Sequence, residues 1–166
     1  MPRRRAMQRR SLSSVSQTMN DVQGFGRFEG KIHILPIRVY YEDTDLSGIV
    51  YHANYLRFME RGRSEFFRCA GIARLAATEG EEPWAWTLRK ASLEYLKPAR
   101  VDDLIEVHTS AIGLTGVRMI ADQKIYCSGQ LLTRGGVEAC VITLSGKPKR
   151  IPADMHEKLA PLVFEN

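Results

Sequence analysis

The sequence predicts an α+β domain in which an antiparallel sheet covers one amphipathic helix. Three observations carry this. Apolar residues recur at spacings of three and four near residues 54–69, the period of a one-sided helix. From about residue 84 the pattern changes to period two, which is that of half-buried strands. Glycines punctuate these strands closely enough to force antiparallel neighbours.

The first strand is the extended apolar stretch ILPIRVY, residues 34–40. It runs into Glu42, Asp43 and Asp45, then Gly48 and His52. The helix follows, with Asn54 as the expected N-cap and Gly71 in the C′ position. Tyr55, Phe58, Met59, Gly62, Phe66, Cys69 and Ala70 form its apolar face. Arg61 and Glu65 are placed for an i, i+4 pair. Gly62 costs about 1 kcal/mol of helix propensity against alanine, and close approach of another element is the expected compensation. Strands are expected near 85–97, 103–112, 117–129 and 136–146, in a meander with turns at 113–116 and 134–136. Ile105, Val107, Thr109 and Ala111 share one strand face, and Val117, Met119, Ala121 and Ile125 share another. A short helix is expected within 152–163.

A chain of 166 residues with 26% charged and 44% hydrophobic content reads as one globular domain. The net charge of +5 is not a nucleic-acid signature. Five arginines and no acid lie in the first twenty residues, and the other 19 basic residues equal the 19 acids. Residues 1–30 therefore read as a disordered basic extension, and 31–166 as the folded domain. The Arg- and Ser-rich composition also has the look of a mitochondrial presequence, and an early start codon is a further alternative. Cys69, Cys127 and Cys140 form no CxxC pair, so buried free thiols in a reducing, cytoplasmic setting are expected. HExxH, GxSxG and Walker patterns are absent.

Chemistry concentrates in residues 41–55, YEDTDLSGIVYHANY. Asp45 lies on a loop, beside two other acids and just before a glycine. It is either a reacting carboxylate or a turn-former. His52 shares that loop at the approach to the helix and is either a participant or structural. Tyr41 is either a partner of the Asp45 carboxylate or an ordinary strand aromatic. His33, His108 and His156 lack such company, and His108 reads as a surface residue. Lys147 and Lys149 flank Pro148 as a basic patch, either a solvated strand end or a contact for a phosphorylated carrier.

The 41–55 segment, with Glu60 and Arg63 downstream, closely resembles the YbgC-like acyl-CoA thioesterases associated with the Tol–Pal system, within the 4-hydroxybenzoyl-CoA thioesterase superfamily. The likeness continues through SLEYLKPARVDDLIEV, residues 92–107, and covers most of 32–152. It implies a hotdog fold, with an antiparallel sheet wrapped around a long central helix. It also implies a homodimer or homotetramer with sites between subunits, an acyl-CoA or acyl-carrier-protein substrate, and no cofactor or metal. Asp45, His52 and Tyr41 fall on the family's catalytic positions. The oxyanion donors fall on the backbone N–H groups of Tyr51 and His52, and Lys97, Lys147 and Lys149 are candidate substrate contacts. A hydratase or dehydratase on the same fold stays open, as does a non-enzymatic carrier or envelope-complex partner whose basic tail makes a peripheral membrane contact.

Overall fold

The computed structural model describes residues 25–164 except Ala73. The basic segment 1–24 lies outside the described residues, and so does every expectation placed on it. Its far boundary moves. Arg27–Glu29 forms a strand, β1, antiparallel to β2 (Ile32–Arg38). Phe28, assigned above to the extension, packs edge-on to Phe66 with ring centroids 5.3 Å apart.

The helix, α1, is Asn54–Cys69. Its 16 residues make it ordinary in length rather than long. The short β3 (Ala76–Ala77) precedes β4 (Trp84–Tyr95), β5 (Leu104–Leu114), β6 (Arg118–Cys127) and β7 (Gln130–Thr143). A two-residue β8 (Pro148–Lys149) and a short helix α2 (Ala153–Leu159) complete the order.

The sheet is antiparallel throughout, in the order β1-β2-β5-β6-β7-β4-β3. The expected simple meander is corrected. β4 pairs with β7, not with β5, and β2 takes the free side of β5. Periodicity reports which face of a strand is buried, not which strand lies beside it. The expected turn at 134–136 is also wrong. The chain reverses at Ser128 and Gly129, whose φ values of 49° and 78° suit a two-residue hairpin turn. Gly135 and Gly136 lie inside β7 instead. A Cβ at Gly135 would come within 2.3 Å of the Ser92 carbonyl oxygen, so this glycine permits close strand approach.

α1 buries Tyr55, Phe58, Met59, Gly62, Phe66 and Phe67 against the sheet. Two apolar clusters divide along it. One gathers Phe58 and Met59 with Ile105, Val107 and Ile125. The other gathers Phe66 and Phe67 with Met119, Val141 and the α2 residues Met155 and Leu159. Fully burying one such large side chain contributes about 1.5–3 kcal/mol. The expected inward face of β5, Ile105 to Ala111, is buried at every second residue.

Some details differ from expectation. Glu65 pairs with Arg68 rather than Arg61, and Arg61 sits over the Phe58 ring at 5.8 Å. Cys69 is exposed, and Cys127 and Cys140 are half-buried. His108 is half-buried with its ring 4.7 Å from that of Tyr126. Gly71 fits the C′ position, with φ of 77° and its N–H bonded to the Arg68 carbonyl.

His33 is fully buried, and its Nε2–H donates to the Phe25 carbonyl at 2.8 Å. Burial pulls its pKa below 6.5, against the opposing effects of that bond and of Glu65. The unfolded chain therefore takes up a proton that the folded chain refuses. Stability from neutral His33 is present above about pH 6.5 and declines as the pH falls below it. Denaturant melts at pH 5 and pH 7.5 should show a smaller pH-dependent loss for His33→Gln than for wild type. An unchanged loss would remove His33 from the account.

Candidate active site

The loop between β2 and α1 is held by its own backbone. The Asp43 Oδ2 accepts from the Tyr40 N–H at 2.8 Å. The Asp43 carbonyl accepts from the Tyr51 N–H and from Asn54 Nδ2, each at 2.9 Å. Asp43 is thus a buried loop anchor rather than a reacting group. Asn54 is the first helical residue, not the N-cap, and Ala53 takes the cap position. The Asn54 side chain instead reaches back across the loop. Asp45 exchanges backbone bonds with Ile49 and Gly48, and Gly48 has φ of 75°, which the tight turn requires. Val50 then donates to the Ala99 carbonyl, which fixes the loop against 96–103.

Asp45 is exposed on the tip of this loop. Its Oδ1 accepts both the Ser47 N–H, at 2.8 Å, and the Ser47 hydroxyl. Bonding from the Ser47 hydroxyl, then from its N–H, holds the carboxyl below the ordinary aspartate value, and nearby His52 adds to this. Both Ser47 bonds fall on one oxygen, so Oδ2 stays open to a reactant.

Tyr41 does not position this carboxylate. The residue is 84% exposed, and Ser47 makes the bonds expected of it. Ser47 was missed because serine after an acid carries no signal beyond a turn.

His52 is exposed, and its ring lies tilted at 54° to that of Tyr51, with centroids 4.3 Å apart. The Tyr95 hydroxyl donates to the His52 carbonyl at 2.9 Å, which ties the helix approach to the end of β4. Tyr55 accepts from the Ala99 N–H at 2.9 Å and stands edge-on to Tyr95. Periodicity placed Tyr55 on the apolar helix face and gave neither hydroxyl a partner. Both sit in strongly patterned elements, where a hydroxyl partner is invisible from spacing alone.

The oxyanion donors expected on Tyr51 and His52 separate. The Tyr51 N–H is taken by Asp43, and the Asn54 N–H by the Tyr51 carbonyl. Among the described residues, no hydrogen bond uses the N–H of His52 or Ala53. These two precede the first turn of α1, where the helix dipole favours negative charge.

The lysines separate as well. A cleft of 310 Å³ is lined by Ile49, Val50, His52, Tyr55, Tyr95, Leu96, Lys97 and Pro98, so Lys97 shares a cleft with His52. Lys147 and Lys149 do not. They follow the far end of β7, where β8 pairs beside Ile142 and Val141, and that end lies against Trp84 to Trp86 rather than Tyr95. The separation along β4 is about 30 Å within one chain. Lys149 is also paired with Glu82. Among the described residues, no group of three His, Cys, Asp or Glu side chains could hold a metal ion.

The model of the thioesterase-like superfamily matches residues 39–159. The chain belongs to that superfamily. The acyl-CoA thioester hydrolase YbgC of Escherichia coli O6:H1 is 40% identical over 119 residues, 70% of this chain and 87% of that protein. The acyl-CoA thioesterase YbgC of Haemophilus influenzae is 35% identical, over 72% and 88%. A solved structure of a Bartonella henselae protein described as a probable thioesterase is 39% identical, with a TM-score of 0.68 over 73% of this chain and 98% of that one. The superfamily match spans the loop, α1 and strands β3 to β8, and the likeness to solved thioesterases supports the hotdog arrangement.

The Ser47 contact makes a specific prediction. An aspartate held below its ordinary value stays ionised to lower pH. The acid limb of the rate profile should therefore lie below about pH 4. Ser47→Ala removes the hydroxyl bond, and the limb should move upward. A limb that stays in place would show that the bond does not act on the working carboxylate.

Proposed function

We propose that this chain hydrolyses acyl-CoA thioesters to a free acid and a thiol. One observation carries the reading. A loop carboxylate anchored through one oxygen shares its loop with N–H groups that have no internal partner at a helix start. In this reading the thioester carbonyl oxygen accepts from the His52 N–H, with the Ala53 N–H nearby. Asp45 Oδ2 either attacks the carbonyl carbon, with the CoA thiolate leaving and water later cleaving the acyl-aspartate, or takes a proton from the attacking water. The oxyanion charge is met by fixed donors, and removal of one such donor typically costs about 10²–10³ in rate. Lys97 is placed to meet a phosphate of the pantetheine carrier. The resemblance to the YbgC proteins supports acyl-CoA over other esters, and an acyl carrier protein is the second substrate to try.

The proposal includes assembly through β4. That strand is hydrogen-bonded to β7 on one side, while the other side meets β3 at Ala85 and Trp84 alone. Leu88 on it is 43% exposed. An open edge of this kind is relieved by pairing with a second copy, as a homodimer or a higher homo-oligomer. Cytoplasmic location and a link to the Tol–Pal system belong to the same reading. Among the described residues no helix is long and apolar enough to cross a membrane.

The test is thiol release over a panel of aliphatic and aromatic acyl-CoAs and an acyl carrier protein. Crotonyl-CoA belongs in the panel, because hydration would consume the enoyl absorbance without freeing thiol. Absence of thiol release across the panel overturns the proposal.

A further inference from the structure

A trans peptide unit is planar, so its N–H and C=O point to opposite sides and move as one body. The two unused donors at the start of α1 therefore depend on what holds their carbonyls. The His52 N–H belongs to the unit that carries the Tyr51 carbonyl. That carbonyl accepts from the Asn54 N–H at 2.8 Å, a backbone bond that no side chain supplies. The Ala53 N–H belongs to the unit that carries the His52 carbonyl. That carbonyl accepts from the Tyr95 hydroxyl at 2.9 Å. Among the described residues, these two successive units have their carbonyls engaged and their N–H groups unused. A side chain holds only the second.

Tyr95 is itself firmly placed. It is the last residue of β4, opposite Thr133 of β7. The next two N–H groups, those of Leu96 and Lys97, both donate to the Leu132 carbonyl. Its ring stands edge-on to Tyr55 with centroids 5.5 Å apart, and Tyr55 is buried with its hydroxyl bonded to the Ala99 N–H.

Burial does not demand the bond from Tyr95 to His52. Tyr95 is 48% exposed and His52 is exposed, so water can serve either group and the bond adds little to stability. What it adds is orientation. A donor on the carbonyl also draws electron density through the amide and makes its N–H a stronger donor, the polarisation that strengthens chains of hydrogen bonds. An oxyanion gains most from a donor already aimed, because nothing then has to reorganise during reaction.

We propose that Tyr95 is a positioning residue for the thioester carbonyl. Its hydroxyl holds the His52–Ala53 peptide unit so that the Ala53 N–H joins the His52 N–H as a second donor to the oxyanion. The assignment rests on the thioesterase reading above and names the group that keeps this donor in place.

The test compares Tyr95→Phe with the wild-type full chain on an acyl-CoA that the wild type hydrolyses. The kcat should fall about 10-fold, less than the 10²–10³ typical of losing a donor outright, because the Ala53 N–H remains but is no longer held. KM should stay within about two-fold, since the contact is to charge that develops in the transition state. Urea midpoints should match. A second readout sees the donor directly. The probe is an acyl-CoA analogue with a methylene in place of the thioester sulfur and a ¹³C-labelled carbonyl, which binds without turnover. In difference infrared spectra the carbonyl band should lie below its frequency in water when bound to wild type, and closer to that frequency when bound to Tyr95→Phe. Tyr55→Phe is the contrasting variant. It keeps a ring beside Tyr95 but leaves the buried Ala99 N–H without its partner, so it should lower the urea midpoint and leave the band at the wild-type frequency. Wild-type kcat in Tyr95→Phe, a band it shares with wild type, or a lowered urea midpoint in place of a band shift overturns the assignment of Tyr95. Absence of thiol release by the wild type is a separate result, which overturns the hydrolase reading beneath it.

Discussion

Asp45→Asn should lower thioester turnover by about 10²-fold or more while leaving the fold intact. The amide keeps the shape of the carboxylate and can still accept from Ser47. It loses the charge that attacks the carbonyl or activates water. Asp45 is exposed, so exchanging it leaves no buried group unpaired, and melting behaviour should match wild type. His52→Ala should be milder. The His52 contribution in this reading is its backbone N–H, and alanine supplies the same N–H. If His52→Ala is as slow as Asp45→Asn, the imidazole itself takes part in the chemistry. Near-wild-type turnover of Asp45→Asn would remove Asp45 from the chemistry altogether.

What could be read from sequence follows from what periodicity measures. The α1 face was legible because Phe58, Met59 and Phe66 repeat at helix spacing, and β5 because Ile105 to Ala111 alternate. Strand neighbours were not legible. β4 and β5 are consecutive in sequence, yet the sheet separates them by β7 and β6. The Gly135–Gly136 pair looked like a turn because glycine serves both turns and close approach. Only the partner strand, with Ser92 opposite, distinguishes the two. At the site, Asp45 stood out by its loop position and by a family motif. The groups that hold the loop did not. Ser47, Asn54 and Tyr95 act through one or two hydrogen bonds each, across two to 43 residues, and nothing in residue type or spacing records such a bond. The same holds for Gln123. Polar on a face of apolar residues, it breaks the pattern that identified β6, yet it links Arg63, Thr109 and Met59.

Gly62 is where a sequence expectation and the structure meet most directly, and Gly62→Leu should destabilise the fold by about 3 kcal/mol or more. Propensity alone argues the reverse, since leaving glycine inside a helix gains about 1 kcal/mol. Packing decides. A Cβ at position 62 would lie 2.7 Å from Val107 Cγ1 and 3.0 Å from Thr109 Oγ1. Neither neighbour yields easily. Val107 is β-branched and fully buried, so its rotamer has little freedom. Thr109 is fully buried and accepts from Gln123. Moving either one shifts β5 or loosens the amide that also holds Arg63. Even Gly62→Ala should therefore be less stable than wild type despite its better propensity. Leucine adds three more carbons where α1 already touches β5, at the junction of the two apolar clusters. The cost is a large share of the 5–15 kcal/mol typical of a domain. Urea melts should show a lower midpoint for both variants, the larger fall belonging to leucine. A Gly62→Ala protein as stable as wild type would mean that α1 and β5 can separate without penalty, and that the glycine is not there for close approach.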